Sequence, residues 1–98
     1  MNKQDIIDIL DKSLNMPIGD VLDEWKAPSV VVGESDGVIF IQTRAESKDA
    51  AKELRDQVKA ALSDKYVVEQ GIIAFSAVDG LRYCQRINIV KEIVKENP

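Results

Sequence analysis

Carboxylates and cationic side chains are almost all this sequence offers for chemistry. Its 98 residues hold 17 Asp and Glu, 13 Lys and Arg, one cysteine and no histidine. The missing imidazole removes His-based acid/base catalysis, Ser-His-Asp and Cys-His nucleophilic sites, and His-ligated zinc together. Cys84 stands alone, which excludes an intramolecular disulfide and a Cys-rich metal cluster. With no histidine to activate it, its thiol reads as packed rather than nucleophilic. Catalysis would fall to two carboxylates held at different pKa values, and no motif sets up such a pair. The chain therefore reads as a non-enzyme with no catalytic, metal or cofactor site.

Other charged positions have two readings each. Asp5, Asp8 and Asp11 recur every third residue and line one helical edge. They read as a solvated face, because hard-cation sites gather their ligands in a turning loop. Arg82 and Arg86 share a strand face and either meet an anion or acidic partner or protect a sheet edge. Trp25, the single tryptophan, is either a buried anchor or a ligand platform, and its apolar spacing favours the anchor. The two Asp-Gly pairs, Asp36-Gly37 and Asp79-Gly80, are turn chemistry and not a phosphate loop, which needs several glycines at a strand-to-helix junction.

Composition sets the outer limits. A chain this long fills one hydrophobic core, so residues 1–98 form a single domain. Hydrophobic residues are 45% and charged residues 31%, the balance of a soluble globular protein. The longest apolar runs reach only four residues, as in Val38 to Ile41, far short of the roughly 20 that span a bilayer. The segment MNKQDIIDIL carries acids where a signal peptide would be apolar, so a cytoplasmic protein is expected. Net charge is −4. Eight acids and three bases in residues 1–36 give −5, and nine acids and ten bases in residues 37–98 give +1. Without a basic stripe, binding to a nucleic-acid backbone is not expected, and neither is a membrane. Protein partners are.

The elements that must position these groups centre on Val38 to Leu62, an apolar strand (VIFIQTR) leading into a helix capped by Ser47. Ala51, Leu54, Val58, Ala61 and Leu62 form that helix's buried stripe, with Lys52 and Asp56 paired outside. Before it, Ile6, Leu10 and Leu14 mark a first helix capped by Asn2. Ile18, Val21, Leu22 and Trp25, at i, i+3, i+4 and i+7, suggest a second short helix, with an extended segment as the alternative because Gly19 weakens it. Asp36-Gly37 predicts a hairpin with Ser35 facing Val38, Val32 facing Ile41 and Val30 facing Thr43. Asp79-Gly80 predicts another, with Val78 facing Leu81, Ser76 facing Tyr83, Ala74 facing Gln85 and Ile72 facing Ile87. Gly71 marks either a bulge or the start of that strand. Ile89, Val90, Ile93 and Val94 suggest a short terminal helix. The expected fold is α+β, in the order helix, second helix, hairpin, long helix, hairpin. A four-stranded, mainly antiparallel sheet packs on the helices.

Both faces of the first hairpin are apolar. Val30, Val32, Ile39 and Ile41 share one, and Val31, Val38 and Phe40 the other. One face can cover the helices, and the second then needs a partner or a further subunit. The interface expected on this ground comprises Val31, Val38, Phe40, Ile73, Phe75, Arg82 and Arg86. An acidic N-terminal part meeting the arginines of the closing hairpin would give a head-to-tail homo-oligomer.

The Pro-led strand APSVVV, the strand-to-helix run VIFIQTRAESKDAAKELRDQVKAAL and the closing hairpin from GIIAF to RYCQRINIV resemble, as an order of elements, the tail-terminator and minor-capsid (tail completion) proteins of long-tailed bacteriophages. The resemblance covers about two thirds of the chain, from Ala27 to Val90. It implies a virion protein that forms a ring, commonly a hexamer, capping the tail tube at the head junction. Two other classes share the element order or the acidity: a small dimeric adaptor or secretion-chaperone-like protein that holds an extended client on its sheet, and a phage-encoded inhibitor of a host protein.

Overall fold

The computed structural model describes residues 2–71, 75–76 and 82–93. These residues form an α+β fold of two helices and a six-stranded mixed sheet: α1 (Lys3–Leu14), β1 (Ile18–Asp20), β2 (Ser29–Ser35), β3 (Val38–Ala45), α2 (Lys48–Leu62), β4 (Tyr66–Gln70), β5 (Phe75–Ser76) and β6 (Arg82–Glu92). The strands lie in the order β1-β2-β3-β6-β4, and β5 also pairs with β6. Only β1 and β2 run parallel.

Capping fixes where both helices begin. The Asn2 side chain accepts from the Asp5 N–H at 3.0 Å, and the Ser47 hydroxyl accepts from the Ala50 N–H at 3.1 Å, each satisfying a donor that the first turn leaves open. Asn15, in the left-handed region, ends α1. Ile6 and Leu10 of α1 and Ala51, Val58 and Leu62 of α2 are buried against Val30, Val32, Ile39, Ile41, Ile87 and Ile89 on one sheet face. Each such large side chain contributes about 1.5 to 3 kcal/mol by leaving water. Two polar ties register α2 on this face. The Thr43 hydroxyl donates to the Ala51 carbonyl at 2.8 Å, and Arg55 donates to Gln85 at 3.2 Å, with Thr43 and Gln85 fully buried. Asp56 pairs with Arg55 at 3.1 Å rather than with Lys52.

The first hairpin has the register that Asp36-Gly37 requires, with Ser35 on Val38, Val32 on Ile41 and Val30 on Thr43. Asp36 and Gly37 both take positive φ, 52° and 78°. Three other expectations are corrected. Residues 18–26 are not a helix: Ile18–Asp20 pairs with β2, and the chain then turns on its own acids. The Asp20 carboxylate accepts from the Leu22 N–H and the Asp23 carboxylate from the Asp20 N–H, both at 2.9 Å, and these bonds outcompete the helix. Next, β6 continues as strand to Glu92, so no helix begins at Ile89. Val67 pairs with Lys91 and Val68 with Ile89, which leaves Val90 as the extra residue of a bulge. That bulge breaks the alternation and mimics a helical period. Finally, β5 pairs Phe75 with Tyr83 and Ser76 with Arg82, one residue away from the expected register. The Asp79-Gly80 turn, Ile72, Ile73, Ala74, Val78, Leu81 and Val94 lie outside the described residues.

At Val31 and Phe40 the second sheet face is also covered, by the chain itself. Val31 is 3% exposed and Phe40 7%. The Phe40 ring lies across Gly33, where a Cβ would come within 2.6 Å of Phe40 Cζ and 2.7 Å of Val21 Cγ1. Replacing Gly33 with Ala should therefore destabilise the fold by about 1 to 3 kcal/mol, the usual cost of overpacking. Chemical denaturation monitored by circular dichroism would read this as a lower midpoint.

Candidate functional site

Strand alternation places Val31, Gly33, Val38, Phe40, Gln42, Arg44, Cys84, Arg86 and Asn88 on the face away from the helices. Two arginines organise this face. Arg44, buried, donates to the Val21 carbonyl at 3.1 Å and to Gln42 at 3.2 and 3.3 Å, and its guanidinium lies 4.8 Å from the centre of the Trp25 ring. It straps the segment that follows β1 down onto the sheet. The Arg86 guanidinium lies 3.9 Å from the centre of the Phe40 ring, and its Nε donates to Asn88 at 2.8 Å. The stem of Arg86 crosses Gly71, where a Cβ would meet Cγ at 2.8 Å. Gly71 is thus a close-packing position just past β4, and its N–H donates to the Arg86 carbonyl at 2.8 Å.

This arrangement separates the residues expected to form an interface. Val31 and Phe40 are covered within the chain, because β1 pairs at Val31 and Arg86 stacks on Phe40. The uncovered face on which the interface was argued is therefore absent at these two residues. Val38 is exposed beside the turn. Ile73 lies outside the described residues, and Phe75 and Arg82 are described in backbone only. Trp25 is an anchor for Arg44, and Cys84 is buried opposite Arg44 in the register.

Apart from Val38, the large apolar side chains exposed among the described residues lie beside β1 or on β4 and the end of β6. At the β1 edge, Leu22 is 91% exposed in the turn made by Asp20 and Asp23. On the other side, Val67 of the edge strand β4 and Val90 and Ile93 at the end of β6 are exposed, with Val90 at 50%. Val67 lies opposite Lys91, and the Ile93 N–H donates to the Lys65 carbonyl. Four inter-strand steps of about 4.8 Å separate the edges, roughly 19 Å, so neither patch can cover the other in one molecule. Sequence reading missed both. Leu22 sat inside a helical spacing, although the acids at 20 and 23 were an available turn signal. A bulge that exposes Val90 leaves no mark in the sequence.

Asp20 and Tyr66 are shifted from their ordinary values. Lys3, hydrogen-bonded to the Asp20 carboxylate, and then the Leu22 N–H hold Asp20 below the usual aspartate value. Burial, followed by the charges of Glu92 and Asp5, pushes the Tyr66 phenol up. No helix among the described residues is long and apolar enough to cross a membrane. No known family model matches this chain, and no curated protein aligns with it significantly.

Two outcomes are expected. Arg44→Ala removes the strap together with its packing on Trp25 and its bonds to half-buried acceptors, which should cost about 1 to 3 kcal/mol, and Trp25 fluorescence should shift to the red in the folded state. Because the folded Tyr66 pKa is raised above the unfolded value near 10, the unfolded state loses that proton first. The stability tied to Tyr66 is then fully present below pH 10 and is lost as pH rises through the folded pKa. Denaturation midpoints measured across this range should fall in the natural chain and fall less in Tyr66→Phe.

Proposed function

We propose that this chain is a non-enzymatic protein–protein interaction module that assembles with copies of itself edge to edge. The observation that carries this reading is the pair of unlike apolar patches, Leu22 beside one sheet edge and Val67, Val90 and Ile93 on the other side. Patches that differ and lie far apart cannot both be buried by one isologous contact. A heterologous contact buries them together, and it closes into a ring when the rotation permits. A closed ring is also what the resemblance to tail terminators implies, so a virion protein at a phage head–tail junction is the specific form of this proposal.

A second reading has its own observation. Strand β4 has no strand on its outer side among the described residues, and such an edge accepts an extended peptide by strand addition. A dimeric adaptor of the secretion-chaperone kind would use it for a client.

Light scattering on the purified chain, at micromolar concentration and in low and high salt, tests the assembly. A mass above the 10.9 kDa of the single chain is expected, rising with concentration. Leu22→Asp and Val67→Lys each spoil one edge and should each give monomers. Mixed together, they should form a heterodimer, since each retains the edge the other lacks. A strict monomer in both salts, or an oligomer that survives both substitutions, contradicts the proposal.

A further inference from the structure

A strand at the margin of a sheet turns every second residue's N–H and C=O outward, and these groups recruit another strand unless something occupies them. The Val21 N–H donates to the Val32 carbonyl at 3.1 Å, which sets the alternation on β1: Gly19 faces β2, and Ile18 and Asp20 face outward. Both outward backbone groups of Asp20 are taken by one residue. The Asp23 carboxylate accepts from the Asp20 N–H, and the Asp23 N–H donates to the Asp20 carbonyl, each at 2.9 Å. The same carboxylate lies along the strand, where a Cβ at Gly19 would come within 2.9 Å of its Oδ2. The Asp20 side chain is engaged as well, by Lys3 on one oxygen and by the Leu22 N–H on the other. Every polar atom of Asp20 thus has a partner within the chain.

The opposite margin has no such device. The Gly71 N–H donates to the Arg86 carbonyl and the Ile93 N–H to the Lys65 carbonyl, both at 2.8 Å. By alternation these bonds turn the N–H and C=O of Tyr66 and Gln70 away from β6. Among the described residues β4 ends the sheet on that side, and no side chain bonds to either position there. One margin is open and the other is closed at its last residue. The closed one stands beside Leu22, 91% exposed in the same turn, and an apolar side chain next to an open strand margin is the combination that aggregates.

We propose that Asp23 is an edge guard: by occupying the outward N–H and C=O of Asp20, it stops the open β4 of a second copy from adding to β1 as a strand. Two open margins would let β4 pair on β1 copy after copy, in a head-to-tail sense with no natural end. With β1 closed, a neighbour meets that margin only through side chains such as Leu22. The inference stands on the geometry of β1 and holds whether or not copies assemble through Leu22.

Light scattering followed over time, together with thioflavin T fluorescence, tests it. Asp23→Ala frees the Asp20 N–H and is expected to give a mass that climbs with time at fixed concentration, with a thioflavin signal. The natural chain should hold a constant mass and give no signal. Asp23→Asn keeps an acceptor oxygen in the same place and should behave as the natural chain does. Gln70→Pro removes an outward N–H from β4 at a sheet margin, where proline is tolerated, so adding it to Asp23→Ala should abolish most of the growth. Growth caused by mere unfolding would be worsened, not relieved, by that second substitution. The proposal is overturned if Asp23→Ala holds a constant mass, if Asp23→Asn grows as Asp23→Ala does, or if growth survives Gln70→Pro undiminished. The mass of the natural chain reads the Leu22 contact separately: a strict monomer removes that contact and leaves the guard in place.

Discussion

A hairpin that is apolar on both faces must be covered twice, and the described part of this chain has only two helices with which to do it. Both pack on the same face, through Ile6, Leu10, Val58 and Leu62. The opposite face is then closed by means other than a helix. Phe40 folds its ring over Gly33, which can accept it only because it has no side chain, and Arg86 lies over Phe40. Arg44 reaches back to the Val21 carbonyl and lies over the Trp25 ring. The two arginines lend their stems as apolar cover while their guanidinium groups stay hydrogen-bonded, which is how a charged side chain can stand in for a core residue. The rest of the architecture depends on this closure.

Once both faces are sealed, the outlets for interaction move to the edges. A sheet that ends in β1 on one side and β4 on the other offers two different margins, one beside Leu22 and one carrying Val67. A single extra residue, Val90, sets Glu92 opposite Tyr66 in the register, so one local irregularity in β6 both exposes an apolar side chain and shifts the alternation at the strand's end.

Most of the fold was legible because its signals were local and strong. Asn2, Ser47 and Asp36-Gly37 announce two helix starts and a turn, and the turn alone sets the register of β2 on β3. What could not be read depended on competition between local bonds and periodicity. Ile18, Val21, Leu22 and Trp25 have helical spacing, yet in the fold they go to four separate places: the core, the strapped face, solvent, and the ring beneath Arg44. The Asp20 and Asp23 side chains decide that outcome. That Val31 and Phe40 are covered within the chain was hidden for a related reason. Alternation places a residue on a face but does not say whether an arginine of the neighbouring strand will lie across it, and Leu22 and Val90 surfaced only once the turn and the bulge were in place.

Sealed faces and open edges make the central claim, and hydrogen exchange read residue by residue at two protein concentrations tests it most directly. Exchange of the amides of Ile39 through Ala45 should be slow and independent of concentration, because their cover belongs to the same molecule. Any added protection at the higher concentration should fall in Tyr66–Gln70 and in the turn around Leu22. Protection that grows with concentration at Val31, Phe40 and their strand neighbours would contradict the account, since it would mean that another molecule, and not this chain's own residues, closes the second face.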